Sequence, residues 1–151
     1  MPGWDRISGY FYPDTTIAGF SHTHLSGTGA GDLYDISFMP VTRPYKEAPA
    51  PLGIYSTFSH NDEAASAGYY RVLLKDYNIN VELTATERCG IQRYTFPEAE
   101  ASVFLNLKKA MNWDFTLDSK IEVVDSTTIR GYRLSQGWSP LQHVYFETRF
   151  L

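Results

Sequence analysis

The chain has 151 residues and a mass of 17.2 kDa, the size of one domain, and needs no disulfide or metal staple to bury a core. It is 43% hydrophobic and 20% charged with a net charge of −4, which excludes a disordered chain and leaves no basic stripe for nucleic acid or an anionic membrane surface. No apolar run approaches the ~20 residues that cross a bilayer, and the single cysteine, Cys89, excludes a disulfide framework and a multi-cysteine zinc site.

The N-terminus opens on Met1-Pro2-Gly3-Trp4, without the basic and apolar regions of a signal peptide. Strand-like runs follow at 36–41 and 54–60, joined by a Pro/Ala connector over 44–51. Residues 61–68 read as a polar loop. Tyr69–Lys75 and Ile79–Thr86 read as an antiparallel hairpin turning at Asp76-Tyr77-Asn78, because 79–86 alternates apolar and polar without interruption. A strand over 91–96 comes next. Residues 98–111 fit both periods: Ala99, Val103, Leu107 and Met111 at helical spacing, Val103, Leu105 and Leu107 at strand spacing. The all-β surroundings favour a strand over 101–107. Strands at 120–124, 128–134 and 143–150 complete the chain, the last with Val144, Phe146 and Phe150 on one face and Glu147 and Arg149 on the other. No βαβ units occur, so the expectation is an all-β, antiparallel β-sandwich of eight to ten strands. The last strand ends without a turn or polar tail, from which we expect a piece of something longer.

The chemistry concentrates in the first 40 residues. Gly19-Phe-Ser-His-Thr-His-Leu-Ser-Gly-Thr-Gly-Ala-Gly-Asp32 interleaves glycines with hydroxyls and imidazoles, a loop suited to a ligand with many hydroxyls. It lacks the Lys-Ser/Thr ending of a phosphate loop. His22 and His24 read either as metal ligands, with Asp32 or Asp35 as the third, or as groups whose hydrogen bonds hold the loop. Trp4, beside Asp5, reads either as edge packing or as a platform for a pyranose ring whose hydroxyls Asp5 accepts. Trp113 and Trp138 fit core or edge packing. His60 and His143 read as structural, and Cys89 has no histidine near it in sequence. Many carboxylates are present, but nothing in the sequence pairs two across a sugar.

The 19–32 block, followed by Asp35-Ile-Ser-Phe-Met-Pro40, resembles the hallmark of the glycoside hydrolase family 92 α-mannosidases. Gly3-Trp-Asp, Tyr69-Tyr-Arg-Val, Val81-Glu-Leu-Thr-Ala-Thr-Glu-Arg, Arg93-Tyr-Thr-Phe-Pro97 and Ile129-Arg-Gly-Tyr-Arg133 are similar too, so the resemblance spans essentially the whole chain. It implies an N-terminal β-sandwich over 1–151, incomplete, belonging to a two-domain enzyme whose catalytic (α/α)6 barrel is absent here. It further implies an inverting, calcium-dependent exo-α-mannosidase, with acid, base and most calcium ligands in the barrel. By the resemblance Trp4 contributes to the substrate pocket and Ser21–His24 is a fixed feature at the interface with the barrel; together with the loop chemistry this makes Trp4, Asp5, His22, His24 and Asp32 the expected mannoside-binding residues, with no catalytic or metal-binding residue expected in this chain. Arg6-Ile7 stands where the family commonly has a cysteine or tryptophan. The implied partners are α-mannoside glycans and the chain's own C-terminal catalytic domain, with no nucleic acid or membrane, and the implied location is periplasmic or extracellular. A stand-alone carbohydrate-binding module is the alternative. Aromatics in 10–40, among them Phe11, Tyr12, Phe20 and Tyr34, together with the final strand, predict that the fragment either self-associates through the 10–40 region or leaves parts of that region poorly ordered.

Overall fold

In a computed structural model, residues 9–23, 34–42, 54–97, 100–108 and 114–151 are described. Every sheet is antiparallel where pairing is defined, and the described residues contain no α-helix, hence none long and apolar enough to cross a membrane. Eleven strands occur among them, two of only two residues. They are β1 Thr16–Ile17, β2 Ser37–Val41, β3 Ser56–Thr57, β4 Glu63–Ser66, β5 Tyr69–Leu74, β6 Ile79–Ala85, β7 Gly90–Thr95, β8 Ser102–Asn106, β9 Phe115–Val123, β10 Thr128–Gln136 and β11 Gln142–Arg149. They form a four-stranded sheet β4-β5-β6-β7, a three-stranded sheet β11-β10-β9, and the pairs β1-β3 and β2-β8. The chain divides into two compact units, one of residues 13–20 and 38–104, the other of 1–12, 21–37 and 105–151.

The first unit contains the apolar core. Tyr70, Val72 and Leu74 of β5 and Ile79, Val81 and Leu83 of β6 alternate inward, and Phe20, Met39, Val41, Ile54 and Phe58 join them. The predicted hairpin forms with residues 75–78 as its turn, and Asn78 adopts φ +52, a conformation asparagine tolerates better than most residues. Asp76 in that turn accepts hydrogen bonds from the Thr57 amide at 3.1 Å and hydroxyl at 2.6 Å, which ties β3 to the hairpin.

Two expectations are corrected here. Residues 61–68 are not a loop, because Glu63–Ser66 pairs in register with Tyr69–Val72 through a tight turn at Ala67-Gly68, where Gly68 takes φ +75. The strand carries no apolar signal because its inward position is Glu63, whose carboxylate pairs with His60 and accepts from the Tyr70 hydroxyl. Residues 54–60 give only a two-residue strand followed by a 3-10 turn at His60–Asp62, capped by the Ser59 hydroxyl. The alternation of buried Ile54, Ser56 and Phe58 is real, but the ladder of hydrogen-bonded partners is two residues long. The ambiguous 98–111 segment is a strand over Ser102–Asn106, and β9 starts five residues earlier than predicted.

The second unit is built on β9–β11. Residues 129, 131, 133 and 135 of β10 share one face with 144 and 146 of β11, while Arg130 faces the other way between Glu122 and Glu147. Gly131 sits under the Phe146 ring, and a Cβ there would lie 2.0 Å from the Lys120 carbonyl. Trp138 is 70% exposed in the β10–β11 turn rather than packed. Trp113 lies outside the described residues. Phe20 and Tyr34 are buried, so they do not contribute to an exposed aromatic patch in 10–40, although Tyr10 and Tyr12 are exposed. The alternation of β11 is as predicted, and within its sheet β11 is an edge strand.

Candidate functional site

The motif-rich loop has two described feet, residues 21–23 and 34–36, at positions where strands bring them side by side. Phe20 bridges Phe38 through two backbone hydrogen bonds of 2.8 and 3.0 Å. Beyond that bridge the feet are joined mostly by side chains. The His22 amide donates to the Asp35 carbonyl at 3.4 Å, and the His22 Nδ1–H donates to the Ile36 carbonyl at 3.2 Å. Because a carbonyl only accepts, this bond fixes the tautomer: in the neutral imidazole the lone pair is on Nε2. The Asp35 amide donates to the Thr23 hydroxyl, and that hydroxyl donates to Asp35 Oδ2, at 3.3 and 3.4 Å.

Ile36 adopts φ +56, in the left-handed region, and its side chain is buried. That conformation is rare for a β-branched residue and costs on the order of 1–3 kcal/mol, so it persists only where the surroundings hold it. The residue before it provides the hold. The Asp35 carboxylate is fully buried and pairs with Nη1 of Arg133, which is 1% exposed. Arg133 is fixed from the other sides as well. Its Nη2 donates to Asp114 Oδ2 at 2.9 Å, and its Nε is shared between the Leu107 carbonyl and the Thr116 hydroxyl, both at 3.0 Å. A planar five-donor fork fits this arrangement; a lysine ammonium cannot reach it. The second oxygen of Asp114 is buried and has no hydrogen-bond partner among the described residues. Tyr34 lies nearby, its hydroxyl pKa raised by burial and then by the Asp114 charge.

Of the sequence-predicted site residues, His22 is described and exposed at the first foot. Trp4, Asp5, His24 and Asp32 lie outside the described residues. Asp35, considered above as a metal ligand, is instead occupied by Arg133 and Thr23. Among the described residues no group of three or more His, Cys, Asp and Glu side chains is placed to hold a metal ion, so the residues in view do not fit a calcium site. Sequence reasoning missed Arg133 and Asp114. The available signal was parity: Arg133 shares its strand face with Ile129 and Gly131, the apolar side of β10, and a charge there demands a buried partner.

Among the described residues the fold is an all-β, multi-sheet antiparallel domain, in which the feet at 21–23 and 34–36 are held by a buried Arg–Asp network. The chain belongs to glycosyl hydrolase family 92, as the N-terminal domain of that family, whose profile matches residues 1–151. Its fold matches the GH92 α-mannosidase BT3965 of Bacteroides thetaiotaomicron, solved with and without mannoimidazole, at 40% identity and TM-score 0.87 over 96% of this chain. It also matches the GH92 glycosyl hydrolase ccman5 at 27% identity and TM-score 0.81 over 97% of this chain. The chain spans about a fifth of the length of these structures, 20% and 21%. No curated protein matches it.

Proposed function

We propose that this chain is the N-terminal domain of an α-mannosidase, that it packs on a catalytic domain, and that its motif loop helps form the mannoside-binding site. The observation that carries this reading is the 40% identity, over 96% of the chain, to an α-mannosidase about five times as long. The loop chemistry supports it, since Trp4, Asp5, His22, His24 and Asp32 combine one stacking surface with several groups that recognise hydroxyls. Asp35 and Asp114 are engaged by Arg133, which supports excluding these two as the acid and base of the reaction. In this reading calcium is held mainly by the catalytic domain, where it would polarise the reacting sugar.

The test is an aryl α-mannoside assay with calcium. The longer protein carrying this chain should turn over the substrate and the 151-residue chain alone should not. Trp4→Ala in the longer protein should lower kcat/KM about tenfold or more, as ~1.4 kcal/mol of lost stacking and pocket shape implies. An inactive longer protein, or an active isolated chain, would overturn the reading.

A further inference from the structure

We propose that Arg133 is a positioning residue for the mannoside site, setting the orientation of His22 through the buried Asp35 and the strained Ile36. The inference rests on the reading that His22 faces the substrate. Three observations converge on it. The carbonyl that receives the His22 Nδ1–H belongs to Ile36, the residue with φ +56. The direction of that carbonyl is set by a backbone conformation that an isoleucine does not hold unaided. The adjoining Asp35 carries the anchor, with one carboxylate oxygen on Arg133 and the other on Thr23 in the opposite foot.

Arg133 is itself immobilised by Asp114, Thr116 and the Leu107 carbonyl, so Asp35 pairs with a fixed group and not a mobile one. A guanidinium needed only to fill space could be replaced by an apolar side chain of similar volume. Here each guanidinium nitrogen is directed, and the chain of contacts leads to the imidazole. Lysine at position 133 keeps the charge but loses the fork, releasing the contacts that fix Asp35. The Ile36 carbonyl then turns toward ordinary geometry, and His22 loses its preferred tautomer and direction.

A double-mutant cycle in the longer protein, assayed on an aryl α-mannoside, tests this. The variants are Arg133→Lys, His22→Ala and the pair. Arg133→Lys should lower kcat/KM about tenfold in the parent and less than twofold in the His22→Ala background. Equal losses in both backgrounds would reduce Arg133 to a packing role and overturn the proposal. So would an unchanged Arg133→Lys, or a His22→Ala variant as active as the parent. If Arg133→Lys does not fold, Asp114→Asn replaces it in the same cycle, with an expected loss of about threefold and the same coupling. A parent without α-mannosidase activity speaks against the proposed function; an active parent without coupling speaks against this inference alone.

Discussion

Arg133 and Glu82 hold their partners in opposite environments and should answer to different perturbations. Arg133 is buried with Asp35 and Asp114, so replacing it with methionine leaves two buried carboxylates without their counter-charge. Removing one member of such a set costs about 3–5 kcal/mol. Arg133→Met should lower the denaturant midpoint by the corresponding amount, and a change under 1 kcal/mol would contradict the burial argument. Glu82 lies on the solvent side of the four-stranded sheet, in register between Arg71 and Arg93. Arg93 donates to both its oxygens at 2.7 and 2.6 Å, and the Tyr69 hydroxyl donates at 2.7 Å. Those bonds, Arg93 first and Tyr69 second, lower the Glu82 pKa to about 2. A carboxyl with a depressed folded pKa contributes stability above its ordinary value and loses it as pH falls toward 2. Glu82→Gln should therefore flatten the dependence of stability on pH between about 5 and 2, as read by denaturant midpoints across that range. An unchanged slope would mean that the pair is not made in solution.

At the scale of elements, β10, like β5 and β6, has its register fixed by neighbours on both sides. Gly131→Ala would set a methyl 2.0 Å from the Lys120 carbonyl and 3.0 Å from the Phe146 ring. The flanking strand must shift, so the variant should lose about 1–3 kcal/mol, the range for overpacking, measurable as a fall in Tm; an unchanged Tm would show that β9 yields freely. The elements legible in the sequence were those where packing and alternation agree, as at β5, β6 and β11. Strand β4 was hidden because its inward side chain is a glutamate satisfied by His60 and Tyr70, contacts that no periodicity reports. The candidate site was legible as a loop of unusual composition that includes His22, and its supports were not. Asp35 and Arg133 are 98 positions apart, and Arg133 differs from the exposed Arg130 only in strand parity.

On the scale of the whole molecule, exposed apolar side chains lie on β9, at Ile121 and Val123, and just past the strand ends, at Val124 and Leu151. Ile121, Val123, Val124 and Leu151 are 45%, 72%, 46% and 114% exposed, and among the described residues β11 is an edge strand of its sheet. Together they favour association, and a net charge of −4 opposes it weakly. The 151-residue chain should show a mass that rises with concentration in light scattering, and Val123→Lys should suppress the rise. A constant monomer mass across the series would show that these side chains are tolerated in water.

The Asp35–Arg133 pair also orders events during synthesis. At ~5–20 residues per second, the 98 positions from Asp35 to Arg133 take about 5–20 s to translate. The hairpins of β4 to β7 close locally, each within about 1–10 μs. The four-stranded sheet is therefore complete while the first foot of the motif loop still awaits its clamp. A nascent chain interrupted between Thr95 and Arg133 has all four strands of the sheet but not the clamp of the loop. Seating of the His22 foot is thus a late checkpoint, reached only once β10 has been made.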